Sequence, residues 1–237
     1  FIINIKLIHK KMKIKILSII PARGGSKGIP LKNLQLLNGK PLLDYSVNAS
    51  LQSKFITRTI VSTDHSKILE RAKKLGADII KRPKHLANDS ARIEPVIDHC
   101  LKYLKLKENY HPDIIILLQN TSPLRTKKHI DNALKFFLTS KFDSLLSGYT
   151  SHHFFWNIKN TGAVPINYNP QTRPNRQDFD NQFIENGAIY ITKYSSFKKS
   201  KCRISGKIGF FEMPQELSID IDTKLDLLQA NQKIINS

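Results

Sequence analysis

The amino-acid sequence predicts an α/β fold in which helices cover both faces of a mostly parallel β-sheet. Short, continuously apolar runs alternate with helix-like segments along the chain, and polar, glycine-containing stretches follow several of these runs. Strands buried on both faces lose the apolar–polar alternation of half-exposed strands, which explains the continuous runs. Together these observations predict a Rossmann-like three-layer sandwich.

Strands and helices follow one another in regular order from residue 15 onward. The predicted strands are the apolar runs at 15–20, 58–63, 77–83 and 113–119. The predicted helices are the segments at 42–53, 66–76, 92–105 and 126–140. Because crossovers in such sheets are right-handed, the strand-to-helix loops gather at one edge, where these sheets bind their ligands.

The length of 237 residues suits one large domain with a modest insertion. Residues 12–237 are predicted to form this domain. Residues 141–182 are rich in aromatic residues, asparagine and proline and lack helical periodicity, which indicates an inserted segment of short strands and loops. Residues 1–11, which precede Met12, are interpreted as an upstream extension without a role in the fold.

The formal net charge of +19 is compatible with two classes of function. A basic surface neutralises nucleic-acid phosphates, and it also attracts polyanionic small substrates. The lysines are scattered through helix-like segments and are not grouped with aromatic residues, so the second class is favoured. Two cysteines are too few for a disulfide framework, which indicates a reducing, cytoplasmic compartment. The apolar stretches at the N-terminus are too short for a membrane span, and no membrane partner is expected.

The segment after the first strand combines glycine, serine and basic side chains. It lacks both the GxGxxG and the GxxxxGK[ST] spacing, although its glycines let backbone N–H groups approach an anion closely. A solvated turn is the alternative, but the prolines at 21 and 30 that flank the segment favour a fixed phosphate-binding loop. Its candidate phosphate-binding residues are Arg23, Gly24, Gly25, Ser26, Gly28 and Lys32; Lys27 has no assigned role.

The C-terminal residues 217–222 alternate between apolar and polar, which predicts a strand with Asp220 and Asp222 on one side. Two carboxylates at this spacing lie roughly 7 Å apart at their backbones and can share one hard cation. The alternative is helix capping by Asp222 or Thr223, with Asp226 completing a capping box, but capping explains only one of the two carboxylates. The two interpretations are compatible, and Mg²⁺ is the expected cation.

Five motifs carry a resemblance to a known family. The stretches IIPARGGSKGIPLKN, IVSTD, LLQNTSPLR, RQDF…NGAIYI and SIDIDT occur in this order over nearly the whole chain. They resemble the acylneuraminate cytidylyltransferases, the CMP-sialic acid synthetases. The resemblance implies an enzyme that uses CTP and Mg²⁺ to convert a nine-carbon 2-keto sugar acid to its CMP conjugate, with release of pyrophosphate.

The resemblance also implies roles for matching positions. The nucleotide-binding positions are Ala22, Arg23, Gly24, Gly25, Ser26, Lys32, Asn33 and Arg82. The sugar-binding positions are Gln119, Arg176, Asn186 and Tyr190. Asp220 and Asp222 match the metal-binding pair, and together with Arg23 and Lys32 they are the expected catalytic residues. The resemblance further implies a homodimer formed through the inserted segment 141–182.

Several alternatives remain open at this point. The stretch ARIEPVIDHC resembles a bacterial subgroup that includes legionaminic acid enzymes, so the sugar acid is either a sialic acid or legionaminic or pseudaminic acid. A synthetase for CMP-3-deoxy-D-manno-octulosonate is a more distant possibility, because its loop lacks the GGSKG core. A basic nucleic-acid-binding protein is the alternative from a different class.

Overall fold

The computed structural model describes residues 14–26, 28–175 and 182–235. Residues 1–11, Lys27 and Arg176, for which the sequence suggested interpretations, lie outside the described residues. The helices are α1 (Leu42–Leu51), α2 (Ser66–Lys74), α3 (Ile93–Glu108), α4 (Lys127–Thr139), α5 (Tyr194–Ser200) and α6 (Lys224–Ile235). The strands are β1 (Ile16–Pro21), β2 (Leu36–Leu37), β3 (Lys40–Pro41), β4 (Arg58–Thr63), β5 (Asp78–Lys81), β6 (Ile114–Leu117), β7 (Ser144–Ser151), β8 (Trp156–Lys159), β9 (Gly162–Pro165), β10 (Gln182–Lys193) and β11 (Ile208–Glu212).

Seven of the described strands form one sheet in the order β11-β7-β10-β6-β1-β4-β5. Strand β10 runs antiparallel to both of its neighbours, and every other adjacent pair is parallel. The predicted mostly parallel sheet is therefore confirmed. Strand β1 pairs with β4 on one side and β6 on the other, so the loops after β1 and β6 leave the sheet side by side at its carboxyl edge. Open sheets of this kind bind ligands at such a reversal of strand order.

Helices cover both faces of the sheet, as predicted. Helices α1, α2 and α4 pack on one face through residues such as Val47, Ile68 and Ile130. Helices α3 and α5 cover the other face through residues such as Leu104 and Phe197. Because both faces are covered, β1 and β6 are buried along almost their whole length, which accounts for their continuous apolar sequence. Among the described helices, none combines the length and apolar character that a membrane span requires.

The predicted insertion at 141–182 divides between the sheet and a hairpin. Residues Ser144–Ser151 form β7 inside the main sheet, where β10 and β11 flank them. Outside the sheet lie the described residues 152–175, which contain the antiparallel hairpin of β8 and β9. The sequence 144–151 does not alternate between apolar and polar residues, because both faces of strand β7 are partly covered.

The predicted strand at 217–222 is wrong. Residues Gln215–Leu217 form a single 3-10 turn, and the chain that follows is irregular up to α6. This irregular segment contacts the loop after β6, where the Ile221 N–H donates to the carbonyl of Thr121, 2.8 Å away. The alternation still assigns the faces correctly, because Ile221 is fully buried while Asp220 and Asp222 are exposed.

Helix α6 begins with the capping interaction that the sequence suggested. We expect Thr223→Ala to lower the free energy of unfolding by about 1 kcal/mol. The Thr223 hydroxyl accepts from the Asp226 N–H at 3.3 Å, and the Asp226 carboxylate accepts from the Thr223 N–H at 2.7 Å. Urea denaturation measures the loss, and Thr223→Ser, which keeps the hydroxyl, should lose less. Equal losses in both variants would contradict the capping explanation.

Candidate active site

A cavity of about 300 Å³ opens at the carboxyl edge of the sheet, at the reversal of strand order. Its walls are formed by the loop after β1, the segment between β5 and α3, the start of α3 and the loop after β6. Its lining residues are Pro21, Arg23, Gly25, Ser26, Lys32, Asn33, Arg82, Leu86, Asn88, Asp89, Ala91, Ile93, Val96, Gln119, Asn120 and Thr121. Gln119 and most of the residues predicted to bind CTP therefore line one cavity. The exceptions are Ala22 and Gly24, which are buried and do not line it.

The loop after β1 is held by its own backbone and by the neighbouring strand β4. Ala22 N–H donates to the carbonyl of Ser62, and Gly24 N–H donates to the Asp64 carboxylate at 2.9 Å. Both backbone donors are thus engaged by the protein. The Asn33 side chain donates to the carbonyl of Arg23 at 2.8 Å and closes the loop from its other end.

Arg23 spans the mouth of the cavity. Its guanidinium donates to the carbonyl of Asn88 and pairs with the Asp89 carboxylate, each at 2.8 Å. These contacts join the loop after β1 to the segment that precedes α3, which forms the opposite wall. Because the ion pair is partly exposed to water, an arriving polyanion can replace Asp89 at little cost.

Lys32 joins the loop to the C-terminal carboxylates. Its ammonium donates to the carbonyl of Ile221 at 2.7 Å and to the Asp222 carboxylate at 2.8 Å. Gly28 lies against the same segment: a Cβ atom added there would stand 2.4 Å from the Asp222 carbonyl oxygen. Glycine is therefore required at 28 by close packing, whereas a Cβ at Gly25 would meet no atom within 4 Å.

Asp220 and Asp222 are not among the lining residues, but each contacts one of them: Thr121 hydrogen-bonds Asp220, and Lys32 pairs with Asp222. The pKa of Asp220 is raised because the surrounding protein desolvates its carboxylate, and the negative charge of Asp222 adds to the effect. Two hard oxygen donors that repel each other suit a divalent cation such as Mg²⁺, which takes few protein ligands. No group of three or more acidic, histidine or cysteine ligands occurs in the described part of the chain.

Arg82 forms the floor of the cavity on the side of β4. It is buried and donates to the hydroxyl and the carbonyl of Ser62, the latter at 2.8 Å. Burial lowers the pKa of its guanidinium, and the positive charge of Arg23 contributes in the same direction. Two arginines on one cavity, one of them in a partly exposed ion pair that a ligand can displace, favour an anionic ligand.

Gln119 is positioned by a buried arginine and a glycine. Arg125 donates to the carbonyls of Gln119 and Ala188 and to the Ser46 hydroxyl, so it acts as a structural residue in this site. Its burial lowers its pKa to about 9. Gly187 has a positive φ of 69°, and a Cβ atom there would approach the Gln119 side-chain oxygen to 2.6 Å. Only glycine leaves room for the Gln119 amide at this position.

The other predicted sugar-binding residues lie outside the cavity lining. The Asn186 amide accepts from the Ser147 hydroxyl at 2.7 Å and donates to the Ser218 hydroxyl at 2.9 Å, which links β10 to β7 and to the C-terminal segment. Tyr190 is buried and donates to the Glu185 carboxylate; burial, reinforced by this hydrogen bond, raises its pKa. Arg176 lies outside the described residues.

The sequence alone did not reveal several residues that shape the site. Asp64, Asp89, Asn120 and Thr121 hold loop groups or line the cavity, and Arg203 stacks on the Tyr190 ring at 4.7 Å while pairing with Glu94. The first four follow predicted strands at the carboxyl edge, and that position was the available signal. The contacts of Arg203 depend on how the segment after α5 packs, which no local pattern determines.

Comparisons with a family model and with curated proteins both match cytidylyltransferases. A model for the cytidylyltransferase family matches residues 17–234. N-acylneuraminate cytidylyltransferase from Oncorhynchus mykiss is 37% identical over 224 residues, which cover 93% of this chain and 50% of that protein. The protein of the same name from Escherichia coli O18:K1:H7 is 33% identical over 225 residues, covering 91% of this chain and 51% of its own length. The chain thus spans about half the length of the curated relatives it matches.

Two solved structures share the fold. CMP:2-keto-3-deoxy-manno-octonic acid synthetase complexed with CTP superposes with a TM-score of 0.68 at 17% identity, covering 94% of this chain and 99% of that one. 4-diphosphocytidyl-2C-methyl-D-erythritol synthase from Anaerococcus prevotii gives a TM-score of 0.66 at 15% identity, covering 94% and 96%. At these identities the likeness concerns the architecture alone.

Proposed function

The chain belongs to the cytidylyltransferase family, and we propose that it transfers CMP from CTP to the anomeric hydroxyl of a sialic-type nonulosonic acid, releasing pyrophosphate. The observation that carries this proposal is the cavity at the carboxyl edge of the sheet. Arg23, Ser26, Lys32 and Arg82 surround it with donors and positive charge, and Asp222 meets this wall through its 2.8 Å contact with Lys32. The similarity to N-acylneuraminate cytidylyltransferases supports the choice of sugar acid.

The proposed reaction is a direct displacement at the α-phosphorus of CTP. The anomeric hydroxyl gives its proton to water as its oxygen forms the new bond to phosphorus; the bond to the bridging oxygen breaks, and pyrophosphate leaves with that electron pair. Arg23 and Lys32 offset the negative charge that collects on the phosphates, and the N–H of Gly25 with the Ser26 hydroxyl orient them. To do so, Arg23 exchanges its contact with Asp89 for phosphate oxygens.

Asp220 and Asp222 are the residues proposed to hold Mg²⁺. When bound, the cation would offset phosphate charge beside the reacting centre. The chain's own contribution is to keep both carboxylates in place: Thr121 hydrogen-bonds Asp220, and Lys32 together with the buried Ile221 fixes the backbone between them.

The sugar acid is proposed to lie beside Gln119. This amide lines the cavity close to Gly187, where it can bind a carboxylate or a hydroxyl of the acid. Asn186 and Tyr190 support this wall from behind through their contacts with β7 and Glu185. The two free cysteines, Cys100 and Cys202, and the proposed use of CTP support a reducing, cytoplasmic location.

A substrate panel tests the proposed function. The chain is incubated with CTP, Mg²⁺ and, separately, N-acetylneuraminic, legionaminic, pseudaminic and 3-deoxy-D-manno-octulosonic acids, and released pyrophosphate is measured. We expect turnover with a nine-carbon acid and little with the eight-carbon acid. Turnover with none of the acids, combined with salt-sensitive binding of RNA, would instead support the nucleic-acid-binding class.

We also propose that the chain forms a homodimer through the hairpin of β8 and β9. A two-stranded hairpin is marginally stable unless it packs on another surface. Every residue of β8 is exposed, and large apolar side chains are among them: Trp156 is 44% and Ile158 is 85% exposed. Ile166, 57% exposed, extends this apolar surface. The hairpin therefore presents an exposed apolar surface that the same surface of a second copy can cover.

Ile158→Lys is expected to shift the assembly toward a monomer, because it places a charge in the proposed interface. Sedimentation equilibrium should give twice the chain mass of 27.1 kDa for the unaltered protein and a lower average mass for the variant. Leu106→Lys is the matched control, since Leu106 is 80% exposed on α3, away from the hairpin. A monomeric unaltered protein would contradict the proposed dimer.

A further inference from the structure

Asn120 contains a buried polar atom that the protein itself does not satisfy. The residue follows Gln119 in the loop after β6, lines the cavity and is 3% exposed. Its Nδ2 atom donates to the carbonyl of Pro21 at the end of β1, 3.2 Å away. Its Oδ1 atom, in contrast, has no hydrogen-bond partner among the described residues. Buried polar atoms are nearly always paired, so an unpaired one on a residue that lines a cavity points to a partner that binds there.

The orientation of this amide is set by chemistry. The carbonyl of Pro21 accepts hydrogen bonds, so it requires the NH₂ group of Asn120 and would repel the side-chain oxygen. The unpaired atom is therefore an acceptor and calls for an O–H or N–H donor. Because Asn120 lines the cavity, a rotation of its amide can bring Oδ1 to a group bound there.

We propose that Asn120 is a substrate-contacting residue whose Oδ1 accepts a hydrogen bond from a hydroxyl group of the bound substrates. This inference rests on the proposed function and extends it to a residue that the family resemblance did not assign. The phosphates present no donor, and the cytosine amino group is placed elsewhere in this proposal, so the partner is a hydroxyl of the ribose or of the sugar acid. The cytosine suits the opposite wall, where Leu86, Ala91 and Val96 offer apolar surface.

The location of Asn120 supports this assignment. It lies between Gln119, proposed to bind the sugar acid, and Thr121, which hydrogen-bonds Asp220. It also contacts the end of β1, from which the phosphate-binding loop departs. The ribose and the attacking sugar must both approach the α-phosphorus in this region, since the loop and the carboxylate pair enclose it.

Asn120→Leu provides the test, because leucine keeps the branched shape of the side chain and removes both amide groups, the unpaired acceptor and the donor to Pro21. The melting temperature should fall by about a few degrees, because the Nδ2 donor to the Pro21 carbonyl is lost as well, while kcat/KM should fall roughly ten- to a hundredfold. Asn120→Ala removes the same oxygen without crowding the cavity and should show the same loss if leucine disturbs folding. Ser18→Ala is the matched control: it removes another unpaired buried oxygen, in β1 and outside the cavity lining, and should leave the kinetics unchanged.

Substrate analogues identify the hydroxyl. If the ribose is the partner, 2′-deoxy-CTP or 3′-deoxy-CTP should be a poorer substrate than CTP for the unaltered protein but an equal one for Asn120→Leu. If the sugar acid is the partner, the variant should raise the KM of the acid and leave the ribose preference intact. An active protein with unchanged kinetics in both Asn120 variants would overturn this inference alone. An unaltered protein without pyrophosphate release on any acid would overturn the proposed function and this inference with it.

Discussion

Asp222→Asn is expected to lower kcat/KM by about a hundred- to a thousandfold, the range seen when one group that stabilises transition-state charge is lost. The change keeps the shape of the side chain but removes its charge, so Lys32 loses the partner it contacts at 2.8 Å. It also removes one of the two oxygen ligands proposed for Mg²⁺. Steady-state rates of pyrophosphate release, measured across Mg²⁺ concentrations, should show the largest defect where Mg²⁺ is limiting.

Asp226→Asn is the matched control for this prediction. Its carboxylate lies four positions further along and accepts from the N–H groups of Asp222 and Thr223, which caps α6. We expect a small loss of stability and near-normal turnover, because this carboxylate faces the helix start. If Asp222→Asn kept near-normal turnover at limiting Mg²⁺, the assignment of Asp222 as a metal ligand would be wrong.

Gly28→Ala is expected to reduce kcat/KM by about a hundredfold, as misplacement of a catalytic group by about 1 Å does. The new Cβ atom would stand 2.4 Å from the carbonyl oxygen of Asp222, so either the loop or the carboxylate segment has to move. Both neighbours are backbone, which cannot rotate away as a flexible side chain does. The same kinetic assay, together with the apparent affinity for Mg²⁺, measures the displacement.

Gly25→Ala separates this packing effect from a general sensitivity of the loop. Its Cβ atom would meet nothing within 4 Å, although the residue lines the same cavity. We therefore expect a clearly smaller loss than for Gly28→Ala. Equal losses in the two variants would indicate that loop flexibility, and not contact with the Asp222 backbone, is what the glycines provide.

Local patterns in the sequence were sufficient for much of the fold. The buried strands β1, β4 and β6 were evident because strands covered on both faces must be continuously apolar. The position of the site followed from the same pattern, since loops after parallel strands meet at one edge. The capping of α6 by Thr223 was likewise local, because its partner lies within one helical turn.

Other features required the tertiary structure. The alternation at 217–222 gave the correct buried face but the wrong secondary structure, because a strand also needs a neighbour with matching free backbone groups. Strand β7 was not predicted, because its local pattern is weak. Its pairing with β10 and β11 is what makes it a strand. The expected N–H donor at Gly24 proved to be occupied by Asp64, 40 positions away.

The sequence by itself determined which faces are buried, which loops carry positive charge and which two carboxylates stand together near the C-terminus. Periodicity and side-chain chemistry are local, and they are sufficient for such features. Only the tertiary structure decided that Lys32 contacts Asp222, 190 positions away, that Gly28 packs beneath the same residue, and that Asn120 has an unpaired acceptor. These features depend on distances between segments remote in sequence, and packing of the whole domain fixes those distances.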